Sequence, residues 1–307
     1  MQLLASSAAA FPLTASGPRT PSFAGAARRG HHVFKHGAFD VIVVSDGSFV
    51  LPLNFVLPST RKADVEALYT AAGQTLDDVT GQMNITVVKT PDATIVIDCG
   101  GGNDFMPSMG LFADNLERVG VTADSVTHVV FTHAHADHLW GVIDPLDGGT
   151  RFPKAKHIIS AAEFDYWMKP GIETLVPEAM KGVALGSARR LGILAERFDR
   201  QKAGAEIAPG VALIDTAGHT PGHVSVLLKS GSEQLLIGGD VLTNPIVSFA
   251  KPDWQWGPDD DRDRAIAARR RTLDMLATDK IALLGYHLPW PGLGRVQRKD
   301  AAFRLVM

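Results

Sequence analysis

Seven consecutive residues restrict this chain more than any other feature: Thr132-His133-Ala134-His135-Ala136-Asp137-His138. Three imidazoles and one carboxylate fall between positions 133 and 138. That donor mixture suits divalent zinc, iron or manganese, and the carboxylate adds neutralising charge. The apolar run His128–Phe131 just before it reads as a short buried strand, so the cluster lies in a loop at a strand end. There His133 and His135, on alternate positions, can converge, while Asp137 and His138 turn to a second point. Four donors this close would crowd one ion, which favours two.

The same arrangement recurs. Ala217-Gly218-His219-Thr220-Pro221-Gly222-His223 follows the predicted strand Val211–Asp215. His219 is the better ligand candidate, and His223 is either a donor behind the ligands or a structural partner. Gly238-Gly239-Asp240 follows the apolar run Leu235–Gly238. A lone Asp there would read as a cap or turn former, but its place after two histidine motifs makes it a third donor. His287, in Gly285-Tyr286-His287-Leu288-Pro289-Trp290-Pro291-Gly292, follows the predicted strand Lys280–Leu284. Four strand ends thus carry metal-type donors.

The rest of the chain reads as strands in runs with helices between them. Phe39–Val44 and Ser48–Leu53 are β-rich, with Asp46-Gly47 predicted as a hairpin turn between them. Met83–Lys89 and Ala93–Asp98 flank Pro91-Asp92, and the second ends at Cys99-Gly100-Gly101-Gly102. Val224–Leu228 and Lys156–Ser160 are further strands, the latter leading into a helix through Trp167. Helical spacing predicts Arg61–Ala72, Met109–Val119 with Leu111, Leu116 and Val119 on one face, residues 177–198 with an apolar stripe including Leu185, Leu191 and Leu194, and Arg262–Thr278. Strand blocks followed by helices, twice, fit two packed sheets covered by helices.

Composition excludes several classes. A net charge of −3 supplies no global basic field for nucleic acid or anionic membrane. The single cysteine, Cys99, rules out an internal disulfide framework and a cysteine-rich zinc ribbon, and reads as a small buried residue. No apolar run reaches membrane-spanning length. Residues 1–31 form a separate leader, rich in Ala, Ser, Pro and Gly up to about Ala27, with the apolar stretch Leu3–Leu13 and no charge before Arg19. It resembles the core and tail of an export signal without the positive start. The expectation is a periplasmic or secreted protein, with the cytoplasm as the alternative, and one catalytic domain over 32–307.

In His133-x-His135-x-Asp137-His138, then His219, Asp240 and His287 in that order, the chain resembles the metallo-β-lactamase superfamily. The resemblance covers most of the chain from about Phe39. It implies an αββα sandwich of two mixed sheets with helices outside. It also implies two divalent metal ions, zinc foremost, with manganese, iron or cobalt accepted by the same donors. By that resemblance His133, His135 and His219 hold one ion, Asp137, His138 and His287 the other, and Asp240 bridges them. Two such cations lower the pKa of a bound water towards about 7, and Asp137 could pass a proton to the leaving group.

Within the superfamily, Asp240 separates the chain from true β-lactamases, which generally lack the bridging carboxylate. Twenty residues follow His287, short of the helical domain of the glyoxalase II branch. RNA-processing branches need basic segments not seen here. The segments Asp46-Gly47 with Leu51-Pro52-Leu53, Gly218 to His223, and His287 to Gly292 look similar to methyl parathion hydrolase and its lactonase-like relatives. The expected activity is hydrolysis of a small lactone or aryl ester, with phosphotriesters as a further substrate class. A thioesterase or glyoxalase-like hydrolase is the alternative, and a non-catalytic sensor of the same fold is the reading from another class. The resemblance allows a homodimer. Candidate pocket residues are Trp140, Phe249, Trp254, Trp256 and Trp290. Arg269-Arg270-Arg271 reads as a solvated helix face.

Overall fold

The computed structural model describes residues 30–76, 79–146 and 148–307. The expected leader, residues 1–31, lies outside them save for its last two positions, and the first strand starts at His31. Strands β1 (His31–His36), β2 (Phe39–Leu51), β3 (Val79–Lys89) and β4 (Thr94–Ile97) pair antiparallel in chain order. β5 (His128–Val130), β6 (Lys156–Ser160) and β7 (Phe198–Gln201) extend the same sheet in parallel. Parallel neighbours need crossovers. α1 (Leu53–Val56) and α2 (Lys62–Ala71) lie between β2 and β3, and α3 (Phe112–Arg118), α4 (Ala136–Leu139), α5 (Ala161–Trp167) and α6 (Lys181–Ile193) carry the crossovers to β7.

A second sheet, also sequential, holds β8 (Glu206–Ala208), β9 (Val211–Asp215), β10 (Val224–Ser230), β11 (Glu233–Ile237), β12 (Ala282–Leu284), β13 (Leu293–Lys299) and β14 (Ala302–Val306). Only its β11–β12 pair is parallel, bridged by α7 (Val247–Ala250) and α8 (Arg262–Thr278). Both sheets are therefore mixed.

Side-chain alternation fixes the layers. Ile95 and Ile97 of β4 and Val130 of β5 point between the sheets, where they meet Leu213, Val226, Leu235 and Leu284. Val96 and Val129 point outward under Leu116, Phe164, Trp167 and Leu191. On the far side, Leu236 and Leu283 pack beneath Ala268, Leu273 and Leu276 of α8. The order is helix, sheet, sheet, helix, as expected. No helix among the described residues is long and apolar enough to cross a membrane.

Four local expectations need correction. Asp46-Gly47 does not turn a hairpin: β2 runs through it with a bulge between Ser45 and Ser48. The reason is inward: the Asp46 carboxylate accepts the N–H groups of Gly101, Gly110 and Phe112. Gly47 takes φ 118° at the bulge, a conformation that side chains resist. The helix expected over 177–198 is shorter, because Phe198 already opens β7. Its face is Ala184, Ser187 and Leu191, leaving Leu185 54% exposed. Likewise Leu111 caps α3 from outside and stays exposed while Leu116 is buried.

Candidate metal centre

The C-terminal ends of β5, β9, β11 and β12 deliver the donors to one place. Leaving β5, the chain places His133 and His135 in an extended loop, and α4 then turns Asp137 and His138 inward. His133 Nε2 and His219 Nε2 each lie 3.0 Å from His135 Nδ1. Asp240 joins this trio to a second set. Its Oδ2 is 3.2 Å from both His219 Nε2 and His287 Nε2, and its Oδ1 is 3.1 Å from His138 Nε2. Asp137 Oδ2 sits 3.4 Å from His287 Nε2 and 3.6 Å from His138 Nε2. All seven sequence-predicted donors are thus brought together, in the groups His133–His135–His219, His133–His138–Asp240 and Asp137–His138–His287, each compact enough to hold a metal ion.

Two buried atoms test whether a cation fits. His138 Nε2 and Asp240 Oδ1 face each other but neither is in a hydrogen bond. A buried polar atom left unpaired is costly, and a cation between these lone pairs satisfies both. Three imidazole nitrogens converging on one point have the same need. The donor set fits divalent zinc or a similar ion.

The outward nitrogen of most of these rings is held too. His138 Nδ1 meets Asp98 Oδ2 at 2.8 Å, His219 Nδ1 meets Asp259 Oδ1 at 2.9 Å, and His287 Nδ1 meets the Gln82 carbonyl at 2.9 Å. Each contact holds a ring proton on the outer nitrogen, so that the inner nitrogen is the one available to a metal ion. His138 is also stacked on Tyr286, whose hydroxyl donates to the Asp137 carbonyl. Asp98 in turn accepts the Thr132 N–H and hydroxyl.

Two further groups lock the loops. Glu163 of α5 is wholly buried and accepts four hydrogen bonds: from Ala134 N–H, Trp167 Nε1, the Thr220 hydroxyl and Gly222 N–H. It thereby ties the His133–His135 loop to the His219 loop. Arg269 corrects an expectation. Far from being part of a solvated face, it is buried in α8, donating to Asp259 and to the Pro252 and Trp254 carbonyls. Arg270 and Arg271 are exposed as expected. His223 resolves as a structural partner. Its Nε2 accepts the Asp240 N–H and its Nδ1 meets Thr216, so no nitrogen is free to ligate.

The charges divide accordingly. Burial opposes ionisation of Asp240, but His287 and His138 outweigh it and hold the carboxyl well below its usual range. Burial also opposes a proton on His219, yet hydrogen bonds to Asp240 and Asp259 lift its pKa to about 9. Burial keeps His133 and His135 well below 6.5 and drives His223 down to about 3. The centre is therefore an ionised carboxylate that demands a positive partner, which a proton or a divalent cation can supply.

Above the donors opens a cavity of ≈ 210 Å³, floored by His135, Asp137, His219, Asp240 and His287. Its walls are apolar. Phe49, Leu51 and Phe55 come from β2 and α1, Phe105 and Met106 from the loop after β4, Met180 and Val183 from the start of α6, and Trp256 and Pro258 from the segment before α8. Of the five expected pocket aromatics, only Trp256 lines it. Phe249 is buried beneath α8, and Trp290 packs against the core between the sheets. Trp254 joins the small cluster around α2, and Trp140 turns onto α6, its Nε1 donating to Ser187. Cys99 is buried, as expected.

The metallo-β-lactamase superfamily profile matches residues 79–286. The chain belongs to the metallo-β-lactamase superfamily. Over 90% of its length it superposes, with a TM-score of 0.85 and 27% identity, on 97% of AidC, a dizinc quorum-quenching lactonase in complex with a product, N-hexanoyl-L-homoserine. It is also similar to the hydrolase AbOPH of the beta-lactamase superfamily, with TM-score 0.83, 26% identity, and 90% and 97% of the two chains covered. A probable metallo-hydrolase of Mycobacterium tuberculosis is 26% identical over 51% of this chain. The match spans 56% of that relative's own length.

Superfamily motifs mark the seven donors but not their supports. Asp98, Asp259, Glu163 and Tyr286 were missed in the sequence, as were the wall residues Phe105 and Met106. Asp98 had a signal: it too ends a strand, directly before Cys99. Asp259 lies in the acidic run Asp259-Asp260-Asp261, where nothing local distinguishes it.

Proposed function

We propose that the chain is a dinuclear metal hydrolase of lactones and carboxylic esters that carry an uncharged, apolar arm. One observation carries this reading: the two oxygens of Asp240 join two sets of buried donors at the floor of a cavity whose other walls are apolar. In this assignment His133, His135 and His219 hold one ion, Asp137, His138 and His287 the other, and Asp240 bridges. Bound there, zinc or a similar ion supplies Lewis acidity and an activated water.

The chain's own residues do the rest. Asp98, Asp259 and the Gln82 carbonyl hold a proton on the outer imidazole nitrogens and so turn the inner ones towards a metal ion. The apolar walls exclude bulk water and orient the arm of the substrate. Asp137 directs Oδ2 at His138 and His287, leaving Oδ1 to take the proton released by the attacking water and pass it to the leaving oxygen. No Lys or Arg lines the cavity among the described residues, which disfavours the heavily anionic substrates of a coenzyme thioesterase. N-acyl homoserine lactones head the substrate class: AidC holds such a product, and N-acyl homoserine lactonases of Bacillus are 22–23% identical over 55% of this chain.

The test is turnover of a hexanoyl-homoserine lactone, a δ-lactone, p-nitrophenyl acetate, a thioester and methyl parathion by zinc- and manganese-loaded protein, with Asp240→Ala beside it. Lactone or ester turnover lost in the variant supports the reading. No turnover of lactone or ester by protein loaded with two metals would reject it.

A further inference from the structure

We propose that Arg190, Trp140 and Asp104 form a clamp that fixes one wall of the cavity and so sets the length of apolar arm the site accepts. The substrate side of this inference rests on the hydrolase reading above.

The wall in question comes from two elements. Phe105 and Met106 stand on the loop after β4, and Met180 and Val183 stand at the start of α6. The loop has no strand or helix of its own between Gly101 and Leu111 to hold it. Asp46 holds its two ends by accepting the Gly101, Gly110 and Phe112 N–H groups, and the stretch at Asp104 is held by Arg190, further along α6. Its Nη2 pairs with Asp104 Oδ2 at 2.7 Å, and Asp104 immediately precedes Phe105. Its Nη1 donates to the Gly186 carbonyl at 3.1 Å. Its guanidinium lies 4.1 Å from the centre of the Trp140 ring, a stabilising cation–π arrangement.

Trp140 completes the frame. Phe105 packs on it edge-to-face at 5.6 Å, and its Nε1 donates to Ser187 Oγ of α6 at 3.0 Å. The indole lies directly on the helix backbone at Gly186, where an added Cβ would come within 2.1 Å of the ring. Trp140 also directly follows α4, the turn that carries Asp137 and His138. The cluster therefore joins the metal-bearing turn, the wall loop and the wall helix through one indole and one guanidinium.

The chemistry of Arg190 argues for positioning over mere packing. It is 9% exposed and its Nε has no hydrogen-bond partner among the described residues. Burying a cation costs more than burying a Leu or Met of similar length. Asp104, its single acidic partner, is 73% exposed and adds no packing to the core. What the pair defines is where Phe105 and Met106 stand. An arm that ran past them would have to push the loop out and break the pair.

The test compares the wild type with Asp104→Ala and Arg190→Met on p-nitrophenyl acetate, hexanoate and decanoate. Calorimetric binding of the non-hydrolysable amides N-hexylacetamide and N-decylacetamide runs alongside. Asp104 is exposed, so its variant folds even if the buried Arg190 variant does not. The clamp predicts that the hexanoate-to-decanoate ratio of kcat/KM falls at least fivefold in both variants. The change appears in KM, with kcat on acetate unaltered within twofold, and the amide affinities converge likewise. If no ester is turned over yet the amides still show clamp-dependent length selection, the hydrolase reading falls and the clamp stands. Equal length selection in wild type and Asp104→Ala, or a loss of kcat uniform across the esters, overturns the clamp.

Discussion

The Asp259 side chain touches neither cavity nor solvent. Its carboxylate takes the His219 Nδ1 proton on one oxygen and the Arg269 guanidinium on the other, at 2.9 and 2.8 Å. That places it among the groups that orient a ligand without ligating. Asp259→Ala is expected to weaken zinc binding by about 10–100-fold, read by chelator competition, while far-ultraviolet dichroism stays unchanged. Unaltered affinity would mean that the loop alone orients His219. Glu163 makes a sharper case, because all four of its partners are donors. Glu163→Gln turns an NH₂ group towards two of them, and an unsatisfied buried donor costs about 1–3 kcal/mol. Urea unfolding of the metal-free protein should show a loss of that size. The ligands were legible because their chemistry sits in short motifs at strand ends. Glu163, Asp259 and Arg269 were not, because, Trp167 on the helix of Glu163 aside, their partners lie 29 to 59, 10 to 40 and 10 to 17 residues away and meet them through tertiary packing.

At the scale of elements, β2 shows how tertiary contacts override local signals. Asp-Gly between two β-rich runs is a strong hairpin signal. Here the loop after Cys99 offers three N–H groups that Asp46 accepts, and the strand bulges without reversing. Burial outweighs those hydrogen bonds and the charge of Arg151, raising the Asp46 pKa from 3.8 to about 6. Between these values the native state holds a proton that the unfolded chain has released. Stability at this site therefore falls as pH rises from about 4 to 6.5, by about 2 kcal/mol. Urea midpoints of the metal-free protein across that range should carry this component, and Asp46→Asn should lack it; parallel profiles for the two proteins would refute it. Elements with a strong local pattern were legible. α8 spans the expected Arg262–Thr278, with Asp261 capping its first turn, and the buried runs of β4 and β5 are read directly. β1, β7, β8, β13 and β14 were not predicted. β1, β7, β8 and β14 are edge strands, and β13, Leu293-Gly-Arg-Val-Gln-Arg-Lys299, is a charged strand between β12 and β14, so their pairing is set by the sheet and not by their own hydrophobicity.

At the scale of the whole molecule, the donors come from both layers. His133, His135, Asp137 and His138 follow β5 of the first sheet, while His219, Asp240 and His287 follow strands of the second. Ions held by both sets would cross-link the two sheets, so metal removal should be felt globally. Zinc at about 100 times its dissociation constant adds about 2.7 kcal/mol per site to stability, and chelation should lower the thermal midpoint in one cooperative step. A midpoint indifferent to chelator would mean that the donors do not bridge the sheets through metal. The most direct test of the central claim is a calorimetric zinc titration of the metal-free chain beside His287→Ala. A dinuclear centre predicts two zinc ions bound per wild-type chain and one per variant chain. One ion in both, or none, would contradict it.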